Sequence, residues 1–97
     1  MADGSFRMTI EDVFGIRNRG TVVTGFVEAG VVAVGDEVEI RREADILVAV
    51  VNGIEVFRRT VDEAAAGDTI GVLLRDVAKD QVHPGDVLSG TGKSVAR

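Results

Sequence analysis

The 97 residues of this chain suffice for one domain with its own core, and 45% hydrophobic content with a single proline is a globular composition, not a disordered one. Cysteine is absent, which excludes disulfide staples and thiolate metal sites, and a formal charge of −5 argues against a free-standing binder that tracks long nucleic acid on a basic face. No apolar run approaches the ~20 residues of a membrane span. The N-terminal Met1-Ala2-Asp3-Gly4-Ser5 carries an acid where a secretory signal carries basic residues, so a cytoplasmic protein with no membrane partner is expected.

Residues 1–5 are expected to form a flexible N-terminus, 6–90 the folded domain and 91–97 a flexible C-terminal tail. Phe6, Met8 and Ile10 alternate with Arg7, Thr9 and Glu11, as in a half-buried strand. The parity then slips at Glu11-Asp12, because Val13 takes the opposite phase, and this predicts a bulge. A polar turn precedes a second strand over Thr21–Glu28, and Val38–Arg41 makes a third. The run Ile46–Val51 is apolar on both faces, and Ile54–Phe57 continues it after Asn52-Gly53. Thr69–Arg75 and Val87-Leu88 complete the strands. Val61–Ala66 and Val77–Val82 are the two segments able to hold a helical turn.

Three turns share one chemistry. Val34-Gly35-Asp36, Ala66-Gly67-Asp68 and Pro84-Gly85-Asp86 each place Gly-Asp just before a strand. Glycine supplies positive φ, and the carboxylate can accept from backbone N–H groups of the turn. Their uneven spacing argues against a duplicated repeat. Several short strands separated by such turns predict an all-β fold, a small closed antiparallel β-barrel.

Two features carry alternatives. Gly25 and Gly71 fall inside strands, where glycine marks either close backbone packing or a place where a ligand approaches. A barrel strand normally shows one face to water, so Ile46, Val48 and Val50 are either covered within the monomer or meet a second copy of the chain.

Enzymatic motifs fail on inspection. Gly90-Thr91-Gly92-Lys93-Ser94 resembles the end of a P-loop, but Val87 stands where its first glycine is needed. Neither Asn18 nor Asn52 precedes a lysine, so the chain alone is not expected to bind GTP. His83 is the only histidine and sits in a turn. The acidic pairs Glu11/Asp12, Asp36/Glu37 and Asp62/Glu63 are sequential, so in strands their carboxylates diverge. A non-enzyme with no cofactor and no metal is expected.

Taken in order, Ile10-Glu11-Asp12-Val13-Phe14, Arg19-Gly20-Thr21-Val22-Val23-Thr24-Gly25, Val34 to Ile40, Gly53 to Arg58 and Gly71 to Arg75 resemble the second domain, a β-barrel, of translation elongation factor Tu and related translational GTPases. The likeness runs from about Phe6 to Gly90. In that family the barrel holds the 3′-terminal adenosine of aminoacyl-tRNA and touches the GTPase domain and the ribosome. The resemblance therefore implies a non-catalytic binding module whose 3′-end site comprises Glu11, Asp12, Ile16, Arg19, Glu55 and Thr69, the last replacing the family's usual asparagine. It implies as partners the aminoacyl-tRNA 3′ end, the ribosome or a GTPase domain. The other readings are a protein-interaction or self-associating barrel using Ile46, Val48 and Val50, and one domain of a longer translational GTPase.

Overall fold

The computed structural model describes residues 4–94. Met1–Asp3 and Val95–Arg97, parts of the expected flexible ends, lie outside the described residues. In chain order the strands are β1 (Arg7–Ile16), β2 (Gly20–Ala29), β3 (Val31–Ala33), β4 (Asp36–Arg42), β5 (Asp45–Val56), β6 (Arg59–Val61), β7 (Glu63–Ala65), β8 (Thr69–Arg75) and β9 (Val87–Ser94). Among the described residues a single 3-10 turn, Lys79–Gln81, precedes β9.

Six strands close on themselves. Their order is β4-β9-β1-β2-β8-β5, and β5 pairs back onto β4, so the ring is an antiparallel barrel as expected. Closure removes free sheet edges around the ring. The short β6 adds to the far end of β5, and β3 pairs with β7 as a separate two-stranded ribbon. Among the described residues, no helix is long and apolar enough to cross a membrane.

The pleat sorts the side chains. Phe6, Met8 and Ile10 point inward from the start of the chain, meeting Val23, Val27, Val38, Ile40, Val51, Ile70, Val72, Leu74 and Leu88 in one core. The expected slip at Glu11 is present as a register shift between Ile10 and Asp12. It turns Phe14 and Ile16 outward, to 51% and 39% exposure, on a strand whose first half buries its apolar residues.

The three Gly-Asp turns also form as the sequence implies. Gly35, Gly67 and Gly85 have φ of 97°, 99° and 96°. Asp36, Asp68 and Asp86 each accept, through Oδ2, the backbone N–H three residues earlier, from Ala33, Ala65 and His83 at 2.8–2.9 Å. Each carboxylate thereby satisfies a donor that the departing strand cannot reach.

The structure revises or resolves four readings of the sequence. Val61–Ala66 holds no helical turn, because its residues pair in β6 and β7, with Ala64 buried opposite Val32. The strand continues through Asn52-Gly53 to Val56, as expected. That dipeptide is a bulge within β5, with the register shifting between Val51 and Gly53. The last strand is longer than Val87-Leu88: Thr91–Ser94 continue β9 past the boundary expected at Gly90, held by Ser94 Oγ donating to Asp36 Oδ1 at 2.8 Å and Thr91 Oγ1 to Glu37 Oε1 at 3.0 Å. Finally, Ile46–Val51 is not buried on both faces. Ala49 and Val51 face the core, while Ile46 and Val48 are 49% and 52% exposed and Val50 is half-buried.

Candidate functional site

A groove lies on the outside of the barrel, across β2, β8, β5 and β6, with a volume of about 360 Å3. Clefts of this size take small ligands or one unit of a larger one. Strand register builds it row by row. Val22 lies opposite Leu73, and Leu73 opposite Gly53, giving an apolar floor. The next row sets Gly71 beside Glu55 and Glu55 beside Thr60. At the other end the β1–β2 turn brings in Ile16 and Arg19, closed by the Arg19 N–H donating to the Ile16 carbonyl at 3.0 Å.

Of the six residues singled out by sequence, the structure brings Ile16, Arg19 and Glu55 together on the groove wall. It does not bring the other three there. Glu11 and Asp12 stand exposed at the β1 bulge, Asp12 opposite Thr24, and Thr69 lies at the start of β8, opposite Phe26. Lining residues that the sequence reading missed are Val22, Leu73, Asn52, Gly53 and Thr60. The available signal was Gly71, noticed for its place inside a strand.

The two in-strand glycines now separate. A Cβ on Gly25 would land on the Thr9 carbonyl oxygen and 2.9 Å from Met8 Cγ, so close packing demands glycine there. A Cβ on Gly71 would meet only Val22 Cγ1 at 3.5 Å and Thr24 Cγ2 at 3.8 Å, which is ordinary contact. Packing tolerates a Cβ at Gly71. Its absence leaves the groove open beside Glu55.

The charges around the groove are arranged unevenly. The ion pairs of the described residues use Arg7 with Glu28, Arg41 with Glu39, and Arg42 with Asp86. Arg17, Arg19, Arg58, Arg59, Arg75 and Lys79 make none. Arg17, Arg19 and Lys79 gather at the β1–β2 end, and Arg58 and Arg59 at the β5–β6 hairpin beside Thr60. Both ends of the groove are thus flanked by uncompensated cations on an otherwise acidic chain. The hairpin tip is unusual in a second way: Phe57 and Arg58 both have positive φ, 51° and 64°, and Phe57 is 87% exposed.

Chemically the groove offers an apolar floor, one carboxylate acceptor and one arginine, with no candidate metal cluster among the described residues. The fold is thus a six-stranded closed β-barrel with a groove on its outer wall. The sequence profile of elongation factor Tu domain 2 matches residues 20–89. The structure is similar to that of translation elongation factor SelB from Methanococcus maripaludis in its apo form, with a TM-score of 0.82, 33% identity, and coverage of 95% of this chain and 20% of that one. The chain belongs to the elongation factor Tu domain 2 family. It spans about one fifth of that SelB chain.

Proposed function

We propose that this barrel is the non-catalytic module of a translational GTPase that holds the 3′-terminal adenosine of an aminoacyl-tRNA in the groove. The observation that carries this reading is the convergence of Ile16, Arg19 and Glu55 on one wall around an apolar floor. In this reading Val22 and Leu73 pack against the adenine face, and Glu55 accepts from the sugar hydroxyls. Arg19 donates to a phosphate or carbonyl oxygen of the ligand. Single-stranded ends are recognised in this way, by base packing and a few directed polar contacts rather than by charge alone. In this reading the aminoacyl group extends beyond the groove towards Glu11 and Asp12, which are exposed on β1.

Calorimetry with a 3′-aminoacyl-adenosine tests it. Glu55→Ala is expected to weaken binding by about 1–3 kcal/mol, the cost of leaving the ligand's donors unmet. Unchanged affinity in that variant would sink the assignment.

The exposure of Ile46 and Val48 favours a second reading, in which this face docks on another protein or a second copy of the chain. Val48→Lys should then abolish association and leave the barrel folded. A monomer by light scattering at high concentration would remove the self-association form of this reading.

A further inference from the structure

The bulge in β5 holds a reactive dipeptide. Val51 pairs with Leu74 and Gly53 with Leu73, so Asn52 is the extra residue on its strand and stands outside the ladder. It is exposed, whereas Val51 before it is buried. Its side-chain amide makes no hydrogen bond among the described residues. The chain has two asparagines, and since Asn18 precedes Arg19, only Asn52 stands before a glycine.

The fold does not require that glycine. Gly53 does not adopt positive φ, and a Cβ on it would meet Leu73 Cβ at 3.6 Å and Cδ2 at 3.8 Å, which is ordinary contact. Alanine would fit. What glycine does here is leave its amide nitrogen unhindered by a side chain.

That nitrogen is one ring closure away from the Asn52 carboxamide. Once it loses its proton to solvent base it can attack Cγ. The N–Cγ bond forms, the Cγ–Nδ2 bond breaks, and Nδ2 leaves as ammonia, which produces a five-membered succinimide. Water then opens the ring. Cleavage of the new N–Cγ bond gives aspartate, and cleavage at the main-chain carbonyl gives isoaspartate, with the backbone routed through the side chain. In sum, one amide and one water become one carboxylate and ammonia. A regular strand opposes the attack, because its ladder holds each N–H and its extended backbone keeps Cγ away. A bulge relaxes both restraints, since it interrupts the ladder and bends the strand.

We propose that Asn52-Gly53 is a site of spontaneous deamidation, which adds a carboxylate to the groove wall as the protein ages. Arg19 and Glu55 are the charged lining residues, so the unmodified wall is balanced and the modified one carries a net negative charge. An anionic ligand is disfavoured there whichever way it lies along the groove. The modification stands on the bulge alone, whereas its effect on a ligand rests on the RNA-end reading of the groove.

The experiment incubates the full chain at neutral pH, native and in urea, and follows both asparagines by peptide mass mapping. The native chain is expected to accumulate aspartate and isoaspartate at position 52, with Asn18 intact. Gly53→Ala should melt with the parent and lose most of the reaction. An intact Asn52 in the native chain would overturn the proposal, and reaction in urea alone would show that the strand protects the site. Reaction of Gly53→Ala at the parent's rate would also overturn it, because an unhindered nitrogen would not be the cause. Freshly purified Asn52→Asp then tests the groove with the dinucleotide CpA. It should bind about two- to fivefold more weakly than the parent, the scale of one solvent-exposed charge interaction, and the gap should close with added salt. Equal affinities would overturn the charge effect and leave the modification standing. If CpA binds neither protein, the RNA-end reading fails and the charge effect with it, while mass mapping still decides the modification.

Discussion

Glu55 faces Gly71 across the β5–β8 pair and Thr60 across the β5–β6 pair, so its carboxylate stands between a residue with no side chain and one with a small hydroxyl. This places an exposed acceptor beside open space on the outer wall of a closed barrel. The Asn52 bulge shifts register three residues earlier in the same strand and accompanies Gly53 into the groove lining. Bulges commonly re-aim side chains in this way at functional positions.

The contrast between the two in-strand glycines gives the first prediction. Gly71→Ala adds a methyl to the groove with only ordinary contacts, so it should keep the fold and weaken nucleoside binding. Gly25→Ala meets the Thr9 backbone and Met8 and should destabilise by about 1–3 kcal/mol, the usual cost of overpacking. Thermal denaturation and ligand titration of both variants distinguish a packing glycine from a groove glycine.

The β5–β6 hairpin carries Phe57 and Arg58 in the left-handed region, which suits Asn-Gly far better. Replacing the pair, as Phe57→Asn with Arg58→Gly, should stabilise the barrel by about 1 kcal/mol in urea unfolding, the relief of the left-handed conformation being partly offset by the unfolded-state entropy that glycine adds. A natural chain that keeps this strained and exposed pair beside the groove is expected to use it. The same double variant should therefore bind the RNA end less well while being more stable.

Asp86 is buried at 3% exposure, accepts the His83 backbone N–H at 2.9 Å and pairs with Arg42 Nε at 3.3 Å. Arg42 also reaches His83 Nδ1, so one carboxylate ties the end of β4 to the turn before β9. Asp86→Ala leaves the His83 N–H without its acceptor and should cost about 1–3 kcal/mol. Asp86→Asn keeps an acceptor oxygen and should cost less. Equal losses would assign the effect to the charge pair instead of the turn.

Glu28 is the titration to follow. Its carboxylate accepts from Thr9 Oγ1 at 2.7 Å and from Arg7 Nε at 3.1 Å. The Thr9 hydrogen bond, opposed by desolvation and helped by Arg7, holds its pKa below the ordinary 4.5. The folded state therefore favours the ionised form. The associated stability is complete above the unfolded pKa and disappears as pH falls through the lower, folded one. Carbon-detected NMR should show Glu28 titrating below the ordinary glutamate value of 4.5. Thr9→Val should move it back up, though not fully, because Arg7 remains.

Much of the barrel was legible in the sequence because its strands alternate and its turns carry their own chemistry. Phe6, Met8 and Ile10 declared their face, and Gly35-Asp36, Gly67-Asp68 and Gly85-Asp86 declared their turns. What escaped was decided by pairing across the fold. Val61–Ala66 has no strong strand pattern and becomes strand only because β3 and β5 supply edges. The tail beyond Gly90 joins β9 because Asp36 and Glu37 hold it. The groove was legible in part. Ile16, Arg19 and Glu55 came from a family likeness, whereas Val22, Leu73 and Thr60 read locally as ordinary strand residues. Only the register of four strands brings them to one wall.

The most direct test of the central claim is an NMR titration of the labelled chain with a 3′-aminoacyl-adenosine, with adenosine as control. The account predicts saturable shifts at Ile16, Val22, Glu55, Gly71 and Leu73 for both ligands, with added shifts at Glu11 and Asp12 for the aminoacylated one. Absence of shifts along the groove at millimolar ligand would contradict it and leave protein docking as the better account of the barrel.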